Sequence, residues 1–169
     1  MPAGNTYEAI ATQTLGSAAA TLTFSSIPGT YTDLILICSM TGNTTSIDTR
    51  VVFNSDTGSN YSATRLMGDG TSATSNRSSN RAWIDLNYVG GVSSTAPATS
   101  ILNIMNYSNS TTYKTTLLRA NELGGTYQGT EAIVGLWRNT AAITSMTITA
   151  SNDNFKSGST FSLYGIASA

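Results

Sequence analysis

Apolar and polar residues alternate with a period of two along most of the chain. Ala20, Leu22 and Phe24 are separated by Thr21 and Thr23, and Ile84, Leu86 and Tyr88 by Asp85 and Asn87. Successive side chains of a strand point to opposite faces, so both runs predict half-buried strands. Leu34-Ile35-Leu36-Ile37-Cys38 is continuously apolar and rich in β-branched residues, the pattern of a central strand covered on both faces. Eight further candidates are Tyr7 to Thr12, Arg50 to Phe53, Tyr61 to Met67, Ile101 to Tyr107, Tyr113 to Ala120, Ala132 to Arg138, Ile143 to Ala150 and Thr160 to Ile166. No window carries a helical period.

Turn chemistry separates these runs: Ile27-Pro28-Gly29, Asp56-Thr57-Gly58, Gly68-Asp69-Gly70, Gly90-Gly91, Gly124-Gly125 and Lys156-Ser157-Gly158, where proline presets φ and glycine accepts positive φ. Many short strands without helices between them predict an all-β chain, an antiparallel β-sandwich of about ten to eleven strands. A jelly roll suits this length and strand number best. With no repeat and no linker, residues 1–169 read as one domain with an extended N-terminal segment 1–6. Gly68 to Arg81 is polar and aperiodic, which predicts a surface loop able to carry a role of its own. Its candidate recognition residues are Asp69, Asn76, Arg77, Asn80 and Arg81.

The composition explains how such a chain stays in solution. Only 10% of residues are charged, against about 25% in ordinary domains, and neutral polar side chains fill the gap with 28 Thr, 23 Ser and 14 Asn. The formal net charge of −1, with lysines and arginines scattered singly, leaves no basic stripe for nucleic acid. The N-terminus carries neither a positive leader nor an apolar run, and no stretch approaches the roughly 18 apolar residues of a membrane span. Folding in a cytoplasm, away from membranes, is the expectation. The single cysteine, Cys38, has no partner for an intramolecular disulfide and reads as a buried thiol.

Candidate chemistry is sparse. The chain has no histidine, which removes the usual general base and the commonest transition-metal ligand. Asp56-Thr57-Gly58-Ser59 matches the aspartic-protease tetrapeptide in letters, but polar Asn54 and Ser55 stand where an apolar strand should lead into it, so a turn is expected. A Ser-Lys pair or a glycosidase carboxylate pair would have to be assembled from residues that the sequence does not bring together. Asp56, Asp69 and Ser151-Asn152-Asp153-Asn154 offer oxygens without the acid density of a calcium loop. Trp83, Trp137 and the tyrosines alternate with polar residues as core side chains do. Sequons at Asn43, Asn60, Asn76, Asn106 and Asn109 are expected by chance in so Ser/Thr/Asn-rich a chain. No enzyme, cofactor or metal is expected.

Several segments resemble small structural proteins of tailed bacteriophages, including those of cyanobacteria and other aquatic bacteria. They are TYEAIATQTLGSAAATLTFSSIPGTYTDLILI at Thr6 to Ile37, RVVFNSDTGSNYSATRLMGDGTS at Arg50 to Ser72, ILNIMNYSNSTTYKTTLLRAN at Ile101 to Asn121, GLWRNTAAITSMTI at Gly135 to Ile148 and GSTFSLYGI at Gly158 to Ile166. The resemblance implies a β-sandwich on the virion and transfers no catalytic residue. The leading expectation is a capsid decoration, or cement, protein on the outer surface of the capsid. It would dock on the major capsid protein, stabilise the shell and form a homo-oligomer, dimer or trimer. The absence of a repeat-bearing stalk ahead of the domain favours this over a tail fibre. The alternative is a tail-fibre or receptor-binding tip presenting Gly68 to Arg81 and Asn106 to Thr112 to a host glycan. Pro2, Ala3, Asn5, Thr6 and Tyr7 are the candidate capsid-docking segment, flexible by composition.

Overall fold

The computed structural model of the chain describes residues 6–44, 46–122 and 128–167. Twelve strands run β1 (Tyr7–Thr14), β2 (Thr21–Phe24), β3 (Asp33–Met40), β4 (Ile47–Phe53), β5 (Tyr61–Gly68), β6 (Ala73–Arg81), β7 (Ile84–Val92), β8 (Ala98–Met105), β9 (Lys114–Glu122), β10 (Gly129–Trp137), β11 (Met146–Ala150) and β12 (Thr160–Ile166), with no helix among the described residues. They form an eight-stranded sheet in the order β1-β12-β3-β8-β9-β10-β5-β6 and a four-stranded sheet in the order β2-β11-β4-β7. All pairings are antiparallel.

The fold is the antiparallel β-sandwich that the alternation predicts. Without the hairpins β5–β6 and β9–β10, what remains is the sheet pair β1-β12-β3-β8 and β2-β11-β4-β7, eight strands in jelly-roll arrangement. Each hairpin is an insertion between consecutive jelly-roll strands. Because β10 pairs with both β9 and β5, the two insertions join and widen one sheet to twice the width of the other.

The described residues form twelve strands rather than ten to eleven, and the extra strand is β6. The Gly68 to Arg81 segment, expected as a loop, is a hairpin arm: Leu66 pairs with Ser75, Thr64 with Arg77 and Tyr61 with Arg81. β6 ends its sheet and faces solvent along most of its length, so it has no apolar side chains to bury and no periodicity to reveal it. The Leu34 to Cys38 run also departs from expectation. Leu34, Leu36 and Cys38 are buried, whereas Ile35 and Ile37 point to the outer face, where Ile37 is 37% exposed. One face is covered, not two.

The sheets share one core, in which Leu36, Leu102, Leu118 and Ile133 of the larger meet Val51, Ile84, Leu86 and Ile148 of the smaller. Aromatic rings close one end. Trp137 stacks on Tyr61 with centroids 6.2 Å apart and tilts against Phe53 at 5.6 Å. Cys38 is fully buried as predicted, and burial pushes its thiol far above the ordinary range. Lys114 is also buried; its ammonium donates to the carbonyls of Thr112 (2.8 Å) and Thr140 (3.0 Å), pinning two loops, and desolvation lowers its pKa.

Candidate functional site

The outer face of the eight-stranded sheet is the most distinctive surface of the molecule. Adjacent strands in register place side chains in rows. One row runs Ile37, Ile101, Arg119, Ala132, Leu66 and Ser75; the next runs Ile35, Asn103, Leu117, Val134, Thr64 and Arg77. Leu66 is 61% exposed, Val134 56% and Leu117 38%. These side chains stand as knobs beside shallow grooves. A groove of about 390 Å³ is lined by Leu66, Met67, Arg119 and Ala132, and one of about 270 Å³ by Thr64, Arg77, Val134 and Leu136. A third, of about 230 Å³, lies between Ile101, Arg119 and Asn121.

The local sequence makes this face apolar. Ile101-Leu102, Leu117-Leu118 and Ile133-Val134 are consecutive apolar pairs in which one member fills the core and the other faces outward. A strand facing water on its outer side would instead alternate apolar with polar. Those pairs are the signal in the sequence for an apolar outer face, one that strand periodicity alone does not reveal.

The five expected recognition residues are dispersed. Asp69 forms the β5–β6 turn, its carboxylate accepting from the backbone N–H of Ser72 (2.7 Å) and Thr71 (2.8 Å). Those bonds hold its pKa below the usual carboxylate value. Asn76 faces inward and accepts from Arg65 at 3.0 Å. Asn80, at φ 55°, accepts from Arg138 at 3.1 Å. Arg81 pairs with Asp85 at 3.2 Å. Only Arg77 stands on the outer face, at a groove. Of the expected docking segment, Pro2, Ala3 and Asn5 lie outside the described residues. Thr6 accepts from the Ala167 N–H at 3.0 Å, and Tyr7 already pairs with Ile166 in β1. Tyr7 is therefore strand, not a free arm, because β12 provides it with a ladder.

The residues weighed for chemistry are engaged in structure. Burial opposes ionisation of Asp56, but hydrogen bonds from Trp137, Asn60, the Gly58 N–H and Asn139 outweigh it and hold the carboxyl below its ordinary value. The Trp137 Nε1 donates to it at 2.7 Å and the Gly58 N–H at 2.9 Å. The Asp-Thr-Gly stretch is thus the predicted turn. Asn152 receives the Asp48 N–H at 3.2 Å and donates to the Ser46 carbonyl at 3.0 Å, so its loop too is a structural turn. Among the described residues no cluster of three or more acidic or thiol side chains could hold a metal.

Charged side chains gather where the larger sheet meets β7. Arg65, 1% exposed, donates to the carboxylate of Asp85 and stacks its guanidinium 3.9 Å from the Tyr88 ring centroid. Trp83 donates to Asp85 at 2.8 Å and lies against both Arg50 (3.8 Å) and Arg81 (4.6 Å). Glu131 accepts the Tyr88 N–H at 2.7 Å. Each of these charges is committed to joining strands, and both tryptophans are occupied by neighbouring side chains. No family model, no curated protein and no solved structure matches the chain.

Proposed function

We propose that the chain is a virion structural protein of a tailed phage, a capsid decoration protein that docks on the major capsid protein and stabilises the shell from outside. The supporting observation is the outer face of the eight-stranded sheet, where Leu66, Val134, Leu117 and Ile37 stand exposed in adjacent rows. Scattered apolar residues are normal on a surface, whereas a contiguous apolar patch marks an interaction site. The resemblance of five segments to phage structural proteins points the same way, and neither a catalytic step nor a cofactor is part of the reading. Docking on a repeated lattice lets modest contacts act through avidity, and binding only the assembled shell stabilises it by mass action.

A glycan-binding tip has less to rest on. Sugar sites use exposed aromatic platforms; both tryptophans are engaged, Trp137 buried and Trp83 covered by two arginines, which leaves exposed tyrosines such as Tyr113 beside the Asn106 to Thr112 loop. The Asn106 to Thr112 loop is organised internally, Asn109 accepting from the N–H groups of Thr111 (2.7 Å) and Thr112 (2.9 Å). Oligomers, dimeric or trimeric, would form at sheet edges such as β6. Purified protein added to emptied shells lacking it should bind and raise their disruption temperature. Failure to bind shells together with binding to whole host cells would replace this reading with the receptor-binding one.

A further inference from the structure

Over the five strands β8, β9, β10, β5 and β6, the apolar outer face also carries charge of a single sign; Asp33, on the outward side of β3, lies beyond them and accepts the Asn106 N–H. Among the described residues of β8, β9, β10, β5 and β6, the charged side chains that point outward are Arg119 and Arg77, both exposed. Arg65 and Glu131, on the same strands, point inward to Asp85 and to the Tyr88 N–H. The ion pairs among the described residues are Arg65–Asp85 and Arg81–Asp85, so among those residues Arg119 and Arg77 have no carboxylate answering them. Arg119 borders two of the three grooves and Arg77 the third.

From these observations we infer that the face selects a folded protein partner whose matching surface is apolar at its centre and carries carboxylates opposite Arg119 and Arg77. This rests on the docking reading and adds the chemistry of the partner's surface. Three strand spacings separate β9 from β6 and the two arginines stand in adjacent rows, two residues apart along the strands, which puts them roughly 16 Å apart. That exceeds the Debye length of about 8 Å at physiological salt, so each needs its own counter-charge. A second copy docking through the same five strands would bring arginines and apolar side chains against the same set, with no acid among their described outward residues to compensate the desolvated guanidinium groups. The whole face of the sheet is large enough for a protein partner. Eight strands about 4.8 Å apart, each presenting about seven residues of about 3.3 Å, give a projected face on the order of 900 Å², and a standard interface needs about 800 Å² per partner.

The test uses the full-length protein and emptied shells lacking it, with affinity measured across a salt series. Arg119→Gln and Arg77→Gln should each weaken binding about tenfold and flatten its salt dependence. Arg119→Glu should weaken it further, while Arg119→Lys retains most of it. Unchanged melting temperatures confirm that the exposed substitutions leave the fold intact. Wild-type protein that binds shells while all four variants bind equally well overturns this inference and leaves the docking reading standing. So does self-association of the free protein that the Arg119→Gln variant loses, since the face would then recognise its own kind. Wild-type protein that does not bind shells overturns both.

Discussion

Arg65 of β5 donates to the carboxylate of Asp85 on β7, joining the inserted hairpin of the larger sheet to the edge strand of the smaller one. Asp85 also receives Arg81 and the Trp83 indole N–H, so one buried carboxylate organises two guanidinium groups and a ring. Removing one partner of a buried pair leaves an uncompensated charge. Asp85→Ala should therefore destabilise the protein by about 3–5 kcal/mol. Replacing both partners by apolar residues, Arg65→Met with Asp85→Leu, should cost clearly less than the sum of the single changes. Denaturant unfolding of the four proteins completes the cycle; additive losses would mean that the pair is not a coupled unit.

Acid should act through Asp56. Its folded pKa lies below its unfolded value, which is about 3.9. The ionised form is therefore bound more favourably in the native state. That contribution is fully present above about pH 4 and disappears as pH falls through the lower folded pKa. Asp56→Asn keeps an acceptor for Trp137 but removes the charge, so it should flatten the dependence of melting temperature on pH below about 4 while leaving the remaining carboxylates to titrate. An unaltered acid limb in the variant would show that Asp56 does not govern it.

Two glycines at positive φ distinguish local strain from steric contact. Gly70, at φ 85°, has open space where a Cβ would sit, whereas at Gly91, at φ 74°, a Cβ would lie 2.5 Å from the Ser46 carbonyl carbon. Gly70→Ala should cost about 1 kcal/mol from backbone conformation alone. Gly91→Ala adds a clash with backbone that cannot rotate away, and should cost about 3 kcal/mol or more. Equal melting temperatures for the two variants would contradict this assignment.

Much of this architecture was legible along the chain, and the exceptions have physical reasons. Eleven strands are visible in the sequence, most of them because a half-buried strand must alternate, and β3 by its continuous apolar run, which does not tell that Ile35 and Ile37 face outward. β6 is not, because an edge strand with both faces near solvent has no apolar period to display. The polar letters of Gly68 to Arg81 therefore read as loop, and four of its five candidate residues proved to be turn-forming or structural. The Asp56 turn and the buried thiol of Cys38 followed from local context. The Arg65–Asp85 pair could not, since it depends on the larger sheet reaching the edge of the smaller. Ile101-Leu102, Leu117-Leu118 and Ile133-Val134 contained the signal for the outer face. Assigning one member of each pair to an exposed surface required the register.

The most direct measurement of where the protein docks uses its own cysteine content. Cys38 is buried, so an engineered surface thiol would be the reactive one. Val134→Cys places it among the exposed apolar residues of the larger sheet's outer face, and Thr21→Cys on the exposed face of β2 in the smaller sheet. Maleimide labelling of each variant, free and bound to emptied shells, should show Val134→Cys protected on binding and Thr21→Cys labelled at its free rate. Undiminished labelling at position 134 in the bound protein, or protection at position 21 instead, would contradict the account.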